Sequence, residues 1–367
     1  MNPQSPAMDN HKMSDAVVLR QSRKLDHINL CLQASDGPGT TGFEDISLIH
    51  NCLPDLDLSS INLGTSAFGL NISPIILNAL TGGTPDVTEL NRQLAYAARV
   101  CDIPMAVGSQ TAAIEDASVR ESFAVVRKEH PSGIIIANVG ANSTPQAAFK
   151  AVDMLKADAL QIHLNVAQEL AMPEGDRNFR GYANNIKQIV KTLTLPVIVK
   201  EVGFGMARQQ VLELAAIGVA AIDVGGRGGT NFAAIEAARG LEPENGFLNS
   251  WGISTACSLI EAVTTCKANI DIIASGGIRE ASDIAKALAL GATAVGIAAP
   301  YLQILISQGV DALISYIKKQ QYGLQTMLLL TGADSIRSLQ TKPVVITGYT
   351  SQWLQARGID FSKFATR

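Results

Sequence analysis

Aromatic residues are scarce, at 5% of the 367 positions, which argues against stacking platforms for nucleobases. Basic charge is not in excess. The formal net charge is -4, so nothing in the balance points to nucleic acid or an anionic membrane surface as a partner. The five cysteines, Cys31, Cys52, Cys101, Cys257 and Cys266, are odd in number and contain no C-x-x-C pair. That argues against a disulfide framework or a zinc site and suits a reducing cytoplasm. Met1 to Arg23 has no apolar stretch of the kind a secretory signal needs. The longest apolar run, 287–302, is broken by Gly291, Thr293, Gly296 and Pro300. It reads as a helix end, a turn and a buried strand, so no membrane span is expected. No G-x-G-x-x-G follows the first strand pattern, which places a doubly wound dinucleotide sheet behind the reading given next.

What is present is a rhythm. Hydrophobic residues make up 47% of the chain and charged residues 17%, enough for a sizeable core. Eight short apolar runs occur, at 75–79, 105–107, 133–137, 159–162, 196–199, 221–224, 270–274 and 294–297. A helix-like segment separates each from the next. Near-continuous apolar strands alternating with helices imply a parallel sheet buried on both faces. Eight such units imply a closed (β/α)8 TIM barrel of the α/β class. The expected division is an N-terminal arm and wrap over 1–73, partly disordered, a barrel over 74–330 and a C-terminal extension over 331–367. A helical pattern from about Leu302 to Leu330 leads into that extension, which is expected to pack on the barrel. Residues 33–60, rich in Asp, Gly, Pro and Ser, read as an irregular wrap.

Polar residues and glycines gather where the apolar runs end, and in a barrel those ends share one face. After the fourth run comes Gln161-Ile162-His163-Leu164-Asn165-Val166-Ala167-Gln168-Glu169, with a titratable ring, two amides and a carboxylate in seven positions. A polar loop around one satisfied histidine is the plainer alternative. After the seventh and eighth runs come Ser275-Gly276-Gly277-Ile278-Arg279 and Ala298-Ala299. There small residues let backbone N–H groups approach phosphate oxygens. Gly225 to Thr230 adds a third flexible turn. Such a site suits the phosphate of a mononucleotide cofactor. Lys200 ends an apolar strand, where it is costly unless it meets an anion or an acid such as Glu201 or Asp223. Against a flavin it would meet the charge that reduction deposits. Glu169 suits a hard cation, since magnesium needs only one or two carboxylates beside substrate phosphates. Glu174 and Asp176 read as caps of the following helix.

Taken together these residues resemble the type 2, flavin-dependent isopentenyl-diphosphate isomerases. The likeness runs from Arg23 into the C-terminal tail. It is carried by Arg23-Lys24-x-x-His27, Leu80-Thr81-Gly82-Gly83, Gly108-Ser109-Gln110, the 163–169 stretch, Lys200-Glu201-Val202-Gly203-Phe204-Gly205, Gly228-Gly229-Thr230-Asn231-Phe232 and 275–279. The resemblance implies FMN, Mg²⁺ and reduction by NADPH. It implies interconversion of isopentenyl and dimethylallyl diphosphate without net redox change, in the cytoplasm, by a homotetramer or homo-octamer. Catalytic roles would fall to His163, Asn165 and Gln168. Substrate would meet Arg23, Lys24, Ser109, Gln110, Thr111, His163 and Gln168, with Arg23 and Lys24 acting in their own or a neighbouring subunit's site. FMN would meet Ala79, Leu80, Thr81, Gly82, Ser109, Asn138, Lys200, Thr230, Gly276, Gly277, Ile278, Arg279, Ala298 and Ala299, and Glu169 would hold Mg²⁺.

Moving a double bond needs a proton added at one carbon and removed from another by groups held close. Reduced flavin can offer N5 as donor. Gln168, whose amide barely titrates, fits a positioning or relay role. Thr111 stands where many relatives carry Arg, and Val202 where many carry Ser, so diphosphate charge would fall to Arg23, Lys24, the metal and Arg227. Two alternatives remain beside the isomerase. One is an FMN-dependent barrel oxidase or dehydrogenase, and the other a non-catalytic flavin-binding barrel. Both hydroxy-acid oxidation and purine-nucleotide oxidation lack their expected histidine or cysteine at a strand end.

Overall fold

The computed structural model describes residues 39–238, 246–266 and 270–367. Eight parallel strands close into a barrel in chain order. They are β4 (Ile75–Leu77), β5 (Met105–Ala106), β6 (Ile135–Gly140), β7 (Ala159–Leu164), β8 (Val197–Glu201), β9 (Ala221–Asp223), β10 (Asp271–Ser275) and β11 (Ala294–Ile297), and β11 pairs back onto β4. Three short strands precede them: β1 (Ile46–Leu48), β2 (Thr65–Ala67) and β3 (Leu70–Ile72). One, β12 (Val344–Ile346), follows.

Side chains on a strand alternate between two faces. Ile75, Leu77, Ile135, Val197, Val199, Ile222 and Ile272 pack outward in the main core. That core includes the outer helices, among them Leu94 and Ala98 of Thr88–Cys101 and Ile284 and Leu288 of Ala281–Ala289. The alternate set, Ile76, Ile136, Ala159, Ile198, Ala221, Ile273 and Ala294, forms a separate cluster inside the barrel. These residues lie at or near the start of their strands, so the interior is apolar at its N-terminal end. Two positions further along, the inward set becomes Asn78, Asn138, Gln161, Lys200, Asp223, Ser275 and Gly296. The apolar runs are therefore barrel walls whose inward side turns polar, or in β11 bare, toward the strand end.

Several strands extend further than the apolar runs suggest. β6 reaches Gly140, β7 Leu164 and β8 Glu201. His163 and Lys200 are consequently paired in the ladder, His163 opposite Lys200 and Lys200 opposite Asp223. The ladder is made by backbone groups, so a polar side chain does not end it where an apolar pattern stops.

The N-terminal end of the barrel is plugged by the β2–β3 hairpin. Its turn residues Phe68 and Gly69 have φ of 43° and 80°, and two positive φ values are what a type I′ two-residue turn demands. Phenylalanine is strained there, and burial compensates. The ring is 5% exposed within the inner apolar cluster, and the Phe68 N–H donates to Asp271 Oδ2 at 2.6 Å.

The wrap is less irregular than its composition suggests. β1 pairs antiparallel with β12, Ile46 opposite Ile346 and Leu48 opposite Val344, so residues before and after the barrel form one small sheet. The helical pattern at 302–330 is two helices, Ala299–Gln308 and Val310–Leu330. Gly309, at φ 87°, breaks it, a conformation favourable only to glycine. Residues 1–38, with Arg23 and Lys24, lie outside the described residues. Among the described residues no helix is long and apolar enough to cross a membrane.

The C-terminal helix Gly348–Ala356 is tied to the barrel helix Thr255–Thr265 by Glu261, which is wholly buried. Its Oε1 accepts from Trp353 Nε1 at 2.9 Å and Arg357 Nε at 3.0 Å, and its Oε2 from the Arg208 N–H at 2.9 Å. Burial pushes the Glu261 carboxyl up, but Arg357, the Arg208 N–H and Trp353 outweigh it and leave the group below its ordinary value. Its stabilising contribution is therefore present above the usual carboxylate range and lost as pH falls through it. Arg357→Leu should cost about 3 kcal/mol at pH 7, since it strands a buried charge. The loss should shrink in urea titrations at pH 4, where Glu261 takes a proton.

Candidate functional site

A cavity of about 590 Å³ opens at the C-terminal ends of the strands. A second, of about 800 Å³, lies at the other end beside the β2–β3 hairpin. Volume does not choose between them, but chemistry does. Only the first collects the strand-end residues. Its wall includes Ala79, Leu80, Thr81 and Gly82 after β4, Ser109 and Thr111 after β5, and Asn138 on β6. His163, Asn165, Gln168 and Glu169 come from β7 and the turn beyond it, and Lys200 from β8. Thr230 follows β9, Gly276 to Arg279 follow β10, and Ala298 and Ala299 follow β11.

One expected contact is absent. Gln110 is fully buried and off the cavity wall. Its Nε2 donates to the Ala151 carbonyl at 2.9 Å and its Oε1 accepts from the Asn138 N–H at 2.9 Å. An amide satisfied at both ends is a brace between β5, β6 and the helix Pro145–Leu155, not a substrate ligand. Nor do Glu174 and Asp176 cap a helix. The next helix starts at Tyr182 behind Gly181, and both acids instead line the cavity.

His163 has a defined tautomer. Asn138 Nδ2 donates to the Val107 carbonyl at 3.0 Å, so its Oδ1 faces His163 Nδ1 at 2.9 Å as acceptor. The proton sits on Nδ1 and Nε2 is left as an acceptor. Burial, with the Lys200 charge, lowers the ring to about 4. It is a neutral hydrogen-bonding group, not an imidazolium.

Glu169 is held by its own turn. Oε1 accepts from Asn165 Nδ2 at 2.7 Å and Oε2 from the Asp176 N–H at 2.9 Å. The helix Val166–Ala171 begins behind Asn165, which puts Gln168 and Glu169 in its first turn. No cluster of three or more His, Cys, Asp or Glu able to hold a metal occurs among the described residues. A cation at Glu169 would therefore take most of its oxygens from substrate.

The loops after β9 and β10 interlock. A Cβ on Gly276 would lie 2.0 Å from the Gly226 carbonyl oxygen, and one on Gly277 would lie 2.2 Å from that of Gly228. Both have positive φ, 106° and 76°, so glycine is required twice over. The N–H groups of Gly277 and Ile278 have no hydrogen-bond partner among the described residues. Unpaired N–H groups beside a cavity, on backbone that no side chain screens, fit a phosphate.

Several wall residues escape the sequence reading, including Asn78, Met172, Tyr182, Ile235 and Leu302. Asn78 had a legible signal, an amide inside an otherwise apolar run. Tyr182 sits on a helix remote in sequence from any motif, and only closure of the barrel brings it in.

The FMN-dependent dehydrogenase family matches residues 126–346. Curated relatives cover nearly the whole chain. The isopentenyl-diphosphate delta-isomerase of Symbiobacterium thermophilum is 46% identical, over 95% of this chain and 99% of its own. That of Moorella thermoacetica is 49% identical, over 92% and 97%. Among solved structures a mandelate oxidase variant superposes with a TM-score of 0.62 at 17% identity, covering 86% of this chain and 94% of its own. At that identity the likeness is one of fold.

A neutral His163 can be checked directly. In the flavin-free protein its ¹⁵N ring shifts should stay those of an Nδ1–H tautomer at pH 5.5 and change only near pH 4. Because the unfolded ring takes its proton near 6.5, stability should fall as pH drops between those values. An imidazolium at pH 6 would contradict the assignment.

Proposed function

The chain belongs to the FMN-dependent isopentenyl-diphosphate delta-isomerases, and from that premise we infer that it interconverts isopentenyl and dimethylallyl diphosphate at the mouth of its barrel. The observation that carries this reading is convergence. His163, Asn165, Gln168 and Glu169 share one cavity with Lys200 and with the unpaired N–H groups of Gly277 and Ile278. The residues fit FMN. Gly276 to Arg279, with Ala298 and Ala299, would take the phosphate. Thr81, Gly82, Ser109, Asn138 and Thr230 would border the rest, and Lys200 would face the negative charge that reduction adds. Reduced FMN, when bound, supplies the acid–base group that an unactivated alkene requires.

The chain's own residues position and screen. His163 Nε2, unprotonated, accepts a hydrogen bond without adding positive charge beside the reacting carbons. Gln168 offers an amide that orients substrate or passes a proton. Met172, Ile235 and Leu302 give the cavity apolar wall for a five-carbon chain and keep water from it. Glu169 would hold Mg²⁺, which would supply charge to meet the substrate diphosphate. NADPH as reductant, a homotetramer or homo-octamer and a cytoplasmic location complete the proposal. Hydroxy-acid oxidation is not favoured. The turns after β9 and β10 carry Arg227 and Arg279 but no histidine base.

Arg23 and Lys24 belong to this reading through the place where the described chain begins. Gly39 abuts the Arg227 side chain and Thr41 abuts Gly228 and Gly277, at the loops of the cavity. The roughly 15 residues from Lys24 to Gly39 span at most roughly 50 Å, so the basic pair can reach its own cavity or a neighbour's.

The decisive experiment is proton NMR of isopentenyl diphosphate in D₂O with FMN, Mg²⁺ and NADPH. Deuterium uptake with formation of dimethylallyl diphosphate is expected, and flavin reduction without isomer would sink the reading. Glu169→Gln should keep its flavin and lose Mg²⁺-dependent turnover, because an amide has the shape but not the charge a hard cation needs. Wild-type magnesium dependence in that variant would remove Glu169 from the metal. Deleting residues before Leu25 should leave flavin binding intact and raise KM by roughly ten- to a hundredfold for each lost cation. If the arm serves a neighbour, mixing an Arg23→Ala/Lys24→Ala protein with a Gln168→Ala protein should recover activity after subunit exchange.

A further inference from the structure

The Lys200 ammonium is one end of a buried polar chain. Its Nζ donates to Asp223 Oδ2 at 2.9 Å and to Ser275 Oγ at 2.8 Å. The Ser275 hydroxyl in turn donates to Asp223 Oδ1. Asn78 Nδ2 donates to Asp223 Oδ2 at 2.8 Å and the Gly225 N–H to Oδ1 at 3.2 Å. Asp223 is 0% exposed and off the cavity wall, whereas Lys200, Asn78 and Ser275 line that wall. Nothing that enters the cavity can touch Asp223, yet four groups are spent on it.

The placement has an electrostatic consequence. A carboxylate this deep is held only by its partners, and its charge is poorly screened. Whatever faces Lys200 across the cavity therefore meets an ion pair and not a lone cation. The field of a pair falls off faster than that of a single charge, so Asp223 weakens the pull of Lys200 on a neighbouring anion. Three strands lock the geometry: Lys200 is directly opposite Asp223 in the β8–β9 ladder, and Ser275 ends β10.

We propose that Asp223 is a positioning residue for the flavin: acting through Lys200, it aims the ammonium and offsets its charge, and so sets how strongly the site favours reduced over oxidised FMN. This rests on the FMN reading above. Asp223→Asn keeps the shape and an oxygen for two of the four donors, and removes the offsetting charge. The uncompensated Lys200 should then favour the reduced, anionic flavin.

The test is the midpoint potential of FMN-loaded protein, measured by slow reduction against an indicator dye. Asp223→Asn should raise it by about 30 mV, equivalent to a tenfold stronger preference for reduced flavin. Lys200→Met should lower it. In the Lys200→Met background the shift should be smaller, because the carboxylate's own field remains but no ammonium is left for it to aim. An unmoved or lowered midpoint in FMN-loaded Asp223→Asn would overturn the proposal, as would an equal shift with and without Lys200. If Asp223→Asn does not fold, Ser275→Ala serves, since it keeps both charges and frees Nζ of one inward acceptor. Its midpoint should rise in the same direction, and no rise counts against the proposal. Wild-type protein that takes up no FMN would instead overturn the flavin reading itself, and the proposal with it.

Discussion

Everything in this molecule depends on the two-residue alternation of eight strands closed into a ring. Closure gives each strand an outer face against helices and an inner face against the other strands. The outer face is apolar almost throughout, with Glu201 at the end of β8 an exception. The inner face is apolar only near the strand starts, where Ile76, Ile136, Ile198 and Ile273 fill the barrel. One pleat further along, the interior holds Asn78, Asp223, Ser275 and Lys200, satisfied by one another. The fold thus spends its hydrophobic burial at one end and concentrates polar groups at the other.

That division lets one scaffold be both stable and reactive. Burial of the apolar layer and the helix contacts holds the walls, so the polar layer need not contribute stability. It must only be internally paired, since an unpaired polar group at this depth costs more than the pair returns. Asn138 shows the economy. One amide satisfies the Val107 carbonyl and fixes the tautomer of His163. Gln110 shows the same logic turned inward, with both ends of its amide used to hold the backbone that carries Asn138.

The loops above this layer would suit an anion because of what they lack. Interlocked glycines at 276 and 277 bring two turns into contact that any side chain would force apart. The N–H groups left over are those a phosphate can use. Family membership and this geometry rest on independent observations, one from identity along the chain and one from the arrangement of backbone and side chains.

The sequence by itself determined the architecture and most of the cavity wall. Eight apolar runs separated by helical patterns specify a closed parallel barrel, because only burial on both faces explains strands without polar alternation. Strand-end position then marks His163, Lys200 and Gly276 as neighbours, because the barrel brings every strand end to one face whatever lies between. The tertiary structure alone decided which way each side chain points and what it meets. Gln110 sits in the same motif as Ser109 yet faces inward, since its amide finds two backbone partners there. Lys200 pairs with Asp223 and not with adjacent Glu201, whose Oε2 accepts the N–H groups of Gly203 and Phe204 in its own turn. The pairing of β1 with β12 joins residues about 300 apart. Such choices turn on hydrogen-bond geometry between groups distant in the chain, and no local pattern of residue types encodes that distance.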